Sequence, residues 1–180
     1  MLMRDCRILK GTGLAVFFVL AAVFAWCPPA VFCEEAESDQ ERCDLGPLTD
    51  LDKSPAFRRL LKMEPGAPGY ERARIDFLVE RVRKSPADFI WNGQAFNSAR
   101  AALHMQYKYV KYRSEASTAE DFVANIASRS RKTGRLYLIE TGSMTCELRN
   151  LLFEELERLD RLLEEKKKET ANAEPHVEIL

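Results

Sequence analysis

One stretch of the chain, residues 98–113, constrains the fold more than any other. Successive residues of an α-helix are about 100° apart, and at this spacing the stretch divides into one basic and two apolar stripes. These stripes are Arg100, His104, Lys108 and Lys111; Ala99, Leu103, Tyr107 and Val110; and Ala101, Met105, Tyr109 and Tyr112. Most of the circumference is apolar or aromatic, so we predict a helix packed on several sides. We expect Leu103 and Val110 to be buried, and only the basic stripe to face water or an anion.

A β-hairpin is predicted just before this helix. Asn92-Gly93 separates two short segments that contain aromatic residues, and both turn residues accept the positive φ of a type I′ turn. Residues 136–139 are a second apolar run of strand length. We expect this run to pair with the hairpin in a small antiparallel sheet.

Further helices are predicted on both sides of the sheet. Helical periodicity is found after Ser54, in residues 71–84, in residues 117–130 and in residues 146–168. The fold class is therefore α+β and mostly helical, with four to five helices around the sheet. The helix at 71–84 has one apolar face, and its arginines, including Arg74 and Arg81, are predicted to form a solvated surface. The alternative is a side that faces an anion or lipid headgroups.

The N-terminus has the pattern of a targeting segment. Arg4, Arg7 and Lys10 precede an unbroken apolar run over residues 14–26, which is the length of a signal-peptide core and short for a membrane span. Residues 1–33 are therefore a signal peptide or an N-terminal anchor. The predicted location is periplasmic or otherwise extracytoplasmic. The alternative is a protein anchored in the inner membrane by residues 14–33.

The rest of the chain divides into three predicted parts. Residues 34–53 are acidic, with few large apolar side chains, and are predicted to be a linker. Residues 54–168 form a single α+β domain that ends in a long helix, and residues 169–180 form a disordered tail. The last helix carries a stripe of leucines, so a dimer through this helix is possible.

The cysteine count is informative because export would place the domain where disulfides form. A cut after Ala25 leaves Cys27, Cys33, Cys43 and Cys146, and a cut after Cys33 leaves only the last two. Cys43 and Cys146 survive either cut, so we predict a disulfide between them. The alternative is a small buried Cys146 and a Cys43 in a loose segment. Paired Cys-x-x-Cys motifs are absent from the sequence, and we expect no zinc site.

His104 is the only histidine within the predicted domain. A general base needs a pKa near neutrality, which histidine supplies, so His104 is the candidate base of a small hydrolase or transferase. However, the sequence contains no Gly-x-Ser-x-Gly motif to present a serine nucleophile. Nearby positive charges disfavour a second charge, so we expect His104 to be neutral at pH 7.

We favour a non-enzymatic envelope module that binds a partner protein, a lipid headgroup or a small anion and uses no cofactor. The predicted binding residues are Arg100, His104, Lys108, Lys111 and Tyr137. The formal net charge of −1 argues against nucleic-acid binding, which is typical of basic domains. Contact with a membrane is expected only through the N-terminal segment.

The domain also resembles a known family. Over residues 71–141 the chain carries Phe89-Ile90-x-Asn92-Gly93, Ala101-x-x-His104-Met105-x-x-Lys108, Thr118-Ala119-Glu120-Asp121-Phe122, Ile126-Ala127-Ser128-x-Ser130 and Thr133-Gly134-x-x-Tyr137. In order and spacing these motifs resemble the YfeK-like family, which are small exported bacterial proteins with a domain of unknown function. Trp91 and Leu136 stand where family members often have Arg and Pro. The resemblance implies location and fold, and it implies no chemistry.

Overall fold

The order of helices and strands was obtained from a computed structural model, which describes residues 43–173. The elements are α1 (Pro55–Leu60), α2 (Tyr70–Lys84), β1 (Asp88–Trp91), β2 (Gln94–Phe96), α3 (Ser98–Lys111), α4 (Ala119–Asp121), β3 (Leu138–Thr141), β4 (Met144–Glu147) and α5 (Leu148–Ala173). Helix α4 continues directly into a π-helix, Phe122–Ala127, and short 3-10 helices occupy Leu51–Lys53 and Arg113–Glu115. The predicted α+β, mostly helical fold is confirmed. The predicted signal peptide or anchor, residues 1–33, lies outside the described residues.

The sheet is antiparallel, with the strand order β2-β1-β3-β4. Asn92 and Gly93 connect β1 to β2 with φ of 53° and 82°, which confirms the predicted hairpin turn. Strand β4 was not predicted, because we assigned its last two residues to the following helix. The residue in the sequence that indicates this strand is Gly142. Glycine accepts a positive φ, and the φ of 57° found at Gly142 suits the first turn position of a second hairpin.

One face of this sheet packs against the helices and the other faces solvent. Side chains alternate along a strand, and the register pairs Phe89 with Phe96 and with Ile139, and Ile139 with Cys146. Phe89 and Ile139 are fully buried, so these pairs mark the inner face. Trp91 lies two residues after Phe89 and therefore projects to the same side.

Helix α2 is buried along most of its length, whereas we had expected residues 98–113 to be the helix that packs on several sides. Its buried residues are Tyr70, Ala73, Arg74, Ile75, Phe77, Leu78, Val79, Arg81 and Val82. The prediction that Arg74 and Arg81 face solvent is wrong. Arg81 Nε donates to Glu155 at 2.9 Å, and Arg74 Nη2 lies 2.8 Å from Asp160. Both carboxylates belong to α5, which satisfies the charge on the buried face of α2.

Helix α3 packs on one side only, so the prediction that Leu103 and Val110 are buried is wrong. Its buried residues are Ala101, Ala102, Met105, Lys108 and Tyr109, which share one face. Leu103 and Val110 lie on the opposite face and are 65% and 72% exposed. The two apolar stripes lie on opposite sides of the helix. The side that packs carries Ala101 and Ala102, whose short side chains allow neighbouring elements to approach closely.

The second half of the predicted linker is packed against the domain. Cys43 and Leu45 are buried, and Arg81 donates hydrogen bonds to the carbonyls of Gly46 and Pro47. Residues 34–42 lie outside the described residues. At the other end, α5 runs to Ala173, so the first residues of the predicted tail are helical. The leucine stripe of α5 is buried within this chain.

The disulfide between Cys43 and Cys146 is confirmed, with 6.3 Å between the two Cα atoms. It joins the segment before α1 to strand β4 and closes a loop with a sequence separation of 103. In the chain-entropy model, a crosslink across a loop of this length stabilises the fold by about 4 kcal/mol. No helix within residues 43–173 is long and apolar enough to span a membrane.

A matched pair of substitutions tests how α3 is oriented. Met105 is buried and Leu103 is exposed, so Met105→Ala should lower the free energy of unfolding by about 2–5 kcal/mol. Leu103→Ala should change it by less than about 0.5 kcal/mol. Urea denaturation followed by circular dichroism measures both values. Equal losses in the two variants would contradict this orientation.

Candidate functional site

Three aromatic rings stack where the first hairpin meets α3. The ring centroids of Trp91 and Phe96 are 3.9 Å apart, with an interplanar angle of 14°. On the side of α3, Trp91 stacks against the imidazole of His104, with centroids 4.9 Å apart. The strand register places both hairpin rings on the inner face of the sheet, and α3 brings His104 to them. The stack therefore fixes the position of the His104 ring.

Tyr137 contacts His104, and Lys108 in turn contacts Tyr137. The Nε2 atom of His104 and the hydroxyl oxygen of Tyr137 are 3.2 Å apart. Lys108 Nζ lies 3.5 Å from the same hydroxyl oxygen and 4.7 Å from the centre of the tyrosine ring. Three of the five predicted binding residues, His104, Tyr137 and Lys108, are thus linked through Tyr137.

Lys108 is buried because it satisfies backbone carbonyls at the end of the π-helix. The last carbonyls of a helix have no partner within the helix, and Lys108 Nζ donates to the carbonyl oxygens of Ile126 and Arg129. Burial, together with the positive charge of Arg131, lowers the pKa of Lys108 to about 8. We had expected the basic stripe to face water, and for Lys108 this is wrong.

Burial also lowers the pKa of His104, and the charge of Lys108 adds to this effect. His104 is therefore neutral at pH 7, as predicted. The pKa of the Tyr137 hydroxyl is raised, mainly because the side chain is buried. The hydroxyl of Tyr137 thus keeps its proton at neutral pH and can donate it in a hydrogen bond.

A shallow hollow of about 480 Å³ opens to solvent beside the aromatic stack. Its lining residues are Trp91, Arg100, Leu103, His104 and Tyr107. The guanidinium of Arg100 lies 4.6 Å from the centre of the Phe96 ring and supplies a positive charge at one edge. The hollow is therefore mainly apolar and aromatic, with a cation beside it.

The other two predicted binding residues, Arg100 and Lys111, are exposed, and of these only Arg100 lines the hollow with His104. Lys111 Nζ is 5.8 Å from the ring centre of Tyr107 and 5.4 Å from that of Tyr112.

Trp91 was not predicted as a site residue. The sequence could have indicated it, because Trp91 precedes the Asn92-Gly93 turn and lies two residues after Phe89, so both side chains project from the same face of the strand.

Ser128 and Ser130, the two serines that follow the π-helix, have structural contacts. Ser128 is fully buried, and its hydroxyl donates to the carbonyl of Val123 in the π-helix. Ser130 is also buried, and its hydroxyl oxygen accepts a hydrogen bond from the amide of Thr133. Within residues 43–173 there is no cluster of His, Cys, Asp and Glu that could hold a metal ion.

Sequence comparison identifies relatives of this domain. The chain is 35% identical over 69 residues to the uncharacterized protein YfeK of Salmonella typhimurium strain LT2, which covers 38% of this chain and 58% of YfeK. The chain thus matches less than two thirds of the length of that relative. No solved structure shows a significant match. Residues 70–160, about half of the chain, match the family of unknown function DUF5329, and the chain belongs to this family.

Proposed function

We propose that this chain is a non-enzymatic binding module that acts outside the cytoplasm. Its binding surface is the outer face of α3 (Leu103, Tyr107 and Val110) together with the adjoining hollow, and we call this the α3 surface. One observation carries the proposal: these three large apolar side chains are 65%, 60% and 72% exposed. Contiguous exposed apolar side chains next to a hollow are typical of interaction sites.

The contacts of the polar groups support binding over catalysis. A serine hydrolase needs a hydroxyl within hydrogen-bond reach of its base. The described hydrogen bond of His104 is to Tyr137, and the hydroxyl of Ser128 is used by a carbonyl. Lys108 is likewise occupied by two carbonyls. The hollow is open, so it excludes water poorly.

The disulfide supports an extracytoplasmic location. Disulfides persist in oxidising compartments and are rare in the cytosol. The bond between Cys43 and Cys146 joins parts of the chain with a sequence separation of 103, and the N-terminal targeting pattern points to the same compartments. We therefore propose that the domain acts in the periplasm or an equivalent space.

The anionic dye 1-anilinonaphthalene-8-sulfonate provides a test of binding, because it combines an apolar ring system with a negative charge. The segment Asp39–Leu180 contains the α3 surface and is suitable for this assay once circular dichroism shows that it is folded. We expect dye fluorescence to rise on binding. Leu103→Glu should weaken binding roughly tenfold, because it removes apolar contact and adds a like charge.

Leu136→Glu is the matched control, since Leu136 is an exposed leucine that is not part of the α3 surface. This variant should bind the dye as the unchanged protein does. Equal binding by all three proteins, or none by any of them, would contradict the proposed surface.

Thiol trapping in intact cells tests the location. If the domain is exported, Cys43 and Cys146 are oxidised in the cell, and Cys43→Ser should gain one thiol that a maleimide labels, at Cys146. A reduced, cytoplasmic domain would give the opposite result, with one labelled thiol fewer in Cys43→Ser than in the unchanged protein. The other cysteines of the chain are common to both proteins and do not affect the difference.

The pH dependence of stability tests the structural role of Lys108. Its pKa is about 8 in the folded protein, against a usual value of 10.5, so the unfolded chain holds more protons between these values. The free energy of unfolding should therefore rise with pH across this window, by up to roughly 3 kcal/mol. Urea denaturation at about pH 7.5 and about pH 10 measures the rise. Lys108→Met should abolish it, and the same rise in both proteins would show that Lys108 is not its source.

A further inference from the structure

We propose that the α3 surface docks the domain on an anionic phospholipid bilayer. This inference rests on the proposed binding function and names the partner. It departs from the expectation that only the N-terminal segment meets a membrane, and it commits to the lipid-headgroup alternative that the sequence left open. Three observations support it: the distribution of acidic residues, the shape of the surface and the kinds of side chain that it presents.

Negative charge is absent from the part of the sequence that forms this surface. The chain contains 28 Asp and Glu residues, yet residues 89–114, which cover the first hairpin and α3, contain none. The carboxylates that flank this run are Asp88, at the start of β1, and Glu115, which is ion-paired with Arg131. Arg100 and Lys111 are exposed on α3. The surface therefore combines positive charge with apolar side chains and matches an anionic plane.

The shape favours a bilayer over a folded protein as the partner. Leu103, Tyr107 and Val110 form a single row along a convex helix, since they are spaced by four and three residues. A stable protein interface covers about 800 Å² on each partner, which is much wider than one row of side chains. A bilayer interface needs no complementary groove, so a narrow row is enough to insert among the headgroups.

The side chains are of the kinds found at membrane interfaces. Tyr107 and Trp91 line the hollow, and tyrosine and tryptophan are enriched at the level of the headgroups. Long cationic side chains can extend to phosphates while their stems stay in the apolar layer. Asn92 and Gly93, in the adjacent turn, are exposed and uncharged. Neither would oppose contact with lipid.

A second copy of the chain is a poorer partner for this surface. A symmetric dimer places the same patch on both sides of the interface. Arg100 and Lys111 of one copy would then approach the same basic residues of the other, with no carboxylate of α3 to offset them. Repulsion between like charges therefore opposes self-association here.

Quenching of Trp91 fluorescence by brominated lipid tests the proposal in the full chain. The chain has two tryptophans, so Trp26→Phe leaves Trp91 as the only emitter. The protein is placed in vesicles of dibrominated phosphatidylcholine, either alone or with about 30% phosphatidylglycerol. We expect Trp91 to be quenched strongly only in the anionic vesicles. Raising NaCl to about 0.5 M should reverse the quenching, because salt screens the attraction.

Substitutions on the α3 surface identify the contact. In the Trp26→Phe background, Leu103→Glu with Val110→Glu should abolish the quenching in anionic vesicles. Arg100→Gln with Lys111→Gln should lower the ratio of docked to undocked protein by roughly tenfold. Leu136→Glu should leave the quenching unchanged. All these side chains are exposed, and unchanged far-ultraviolet circular dichroism would show that each variant is folded.

The outcomes separate this inference from the proposed function. Equal quenching in neutral and anionic vesicles, or quenching that survives Leu103→Glu with Val110→Glu, overturns docking through the α3 surface. If Trp91 is not quenched in either vesicle but the dye still binds, the bilayer is the wrong partner and an acidic protein takes its place. If both quenching and dye binding are absent, the proposed function fails as well.

Discussion

The burial of α2 depends on two arginines that find carboxylates on another helix. Arg74 and Arg81 are two helical turns apart, and Asp160 and Glu155 of α5 meet them. Arg81 and Glu155 are both buried, and removing one partner of a buried ion pair costs far more than the pair itself contributes, because it leaves a desolvated charge. Arg81 also holds the carbonyls of Gly46 and Pro47. The same face of α2 thus positions both the last helix and the segment after Cys43.

Local patterns predicted the elements whose signals lie close together in the sequence. The Asn92-Gly93 turn, most helix positions and the fold class followed from spacing alone. The burial of Arg74 did not, because its partners on α4 and α5, Glu120 and Asp160, are far away in sequence. Arginine on a helix usually indicates a solvated face. Here the carboxylates of Glu120 and Asp160 pair with Arg74, so its buried position has the lower free energy.

Only some contacts of the candidate site could be predicted, because the others also depend on groups that are distant in sequence. The sequence placed His104 and Tyr137 in one region, and they are in contact. Lys108 was expected to face water, but it donates hydrogen bonds to two backbone carbonyls. The pattern of residue types does not show which backbone carbonyls lack a partner. The orientation of α3 was also ambiguous, because it has apolar side chains on opposite sides. The side that does not pack carries Leu103 and Val110, on which the proposed function rests.

The position of the disulfide determines how mechanical tension would travel through the domain. A pull on the chain before Cys43 passes through the covalent bond to Cys146 and enters β4 directly. It therefore bypasses α1 and α2, which lie inside the closed loop. Strand β4 is hydrogen-bonded only to β3 in the described sheet, so the load reaches the rest of the sheet through this one ladder. A tether at the N-terminus would thus pull on the edge of the sheet and leave the packing of α2 unloaded.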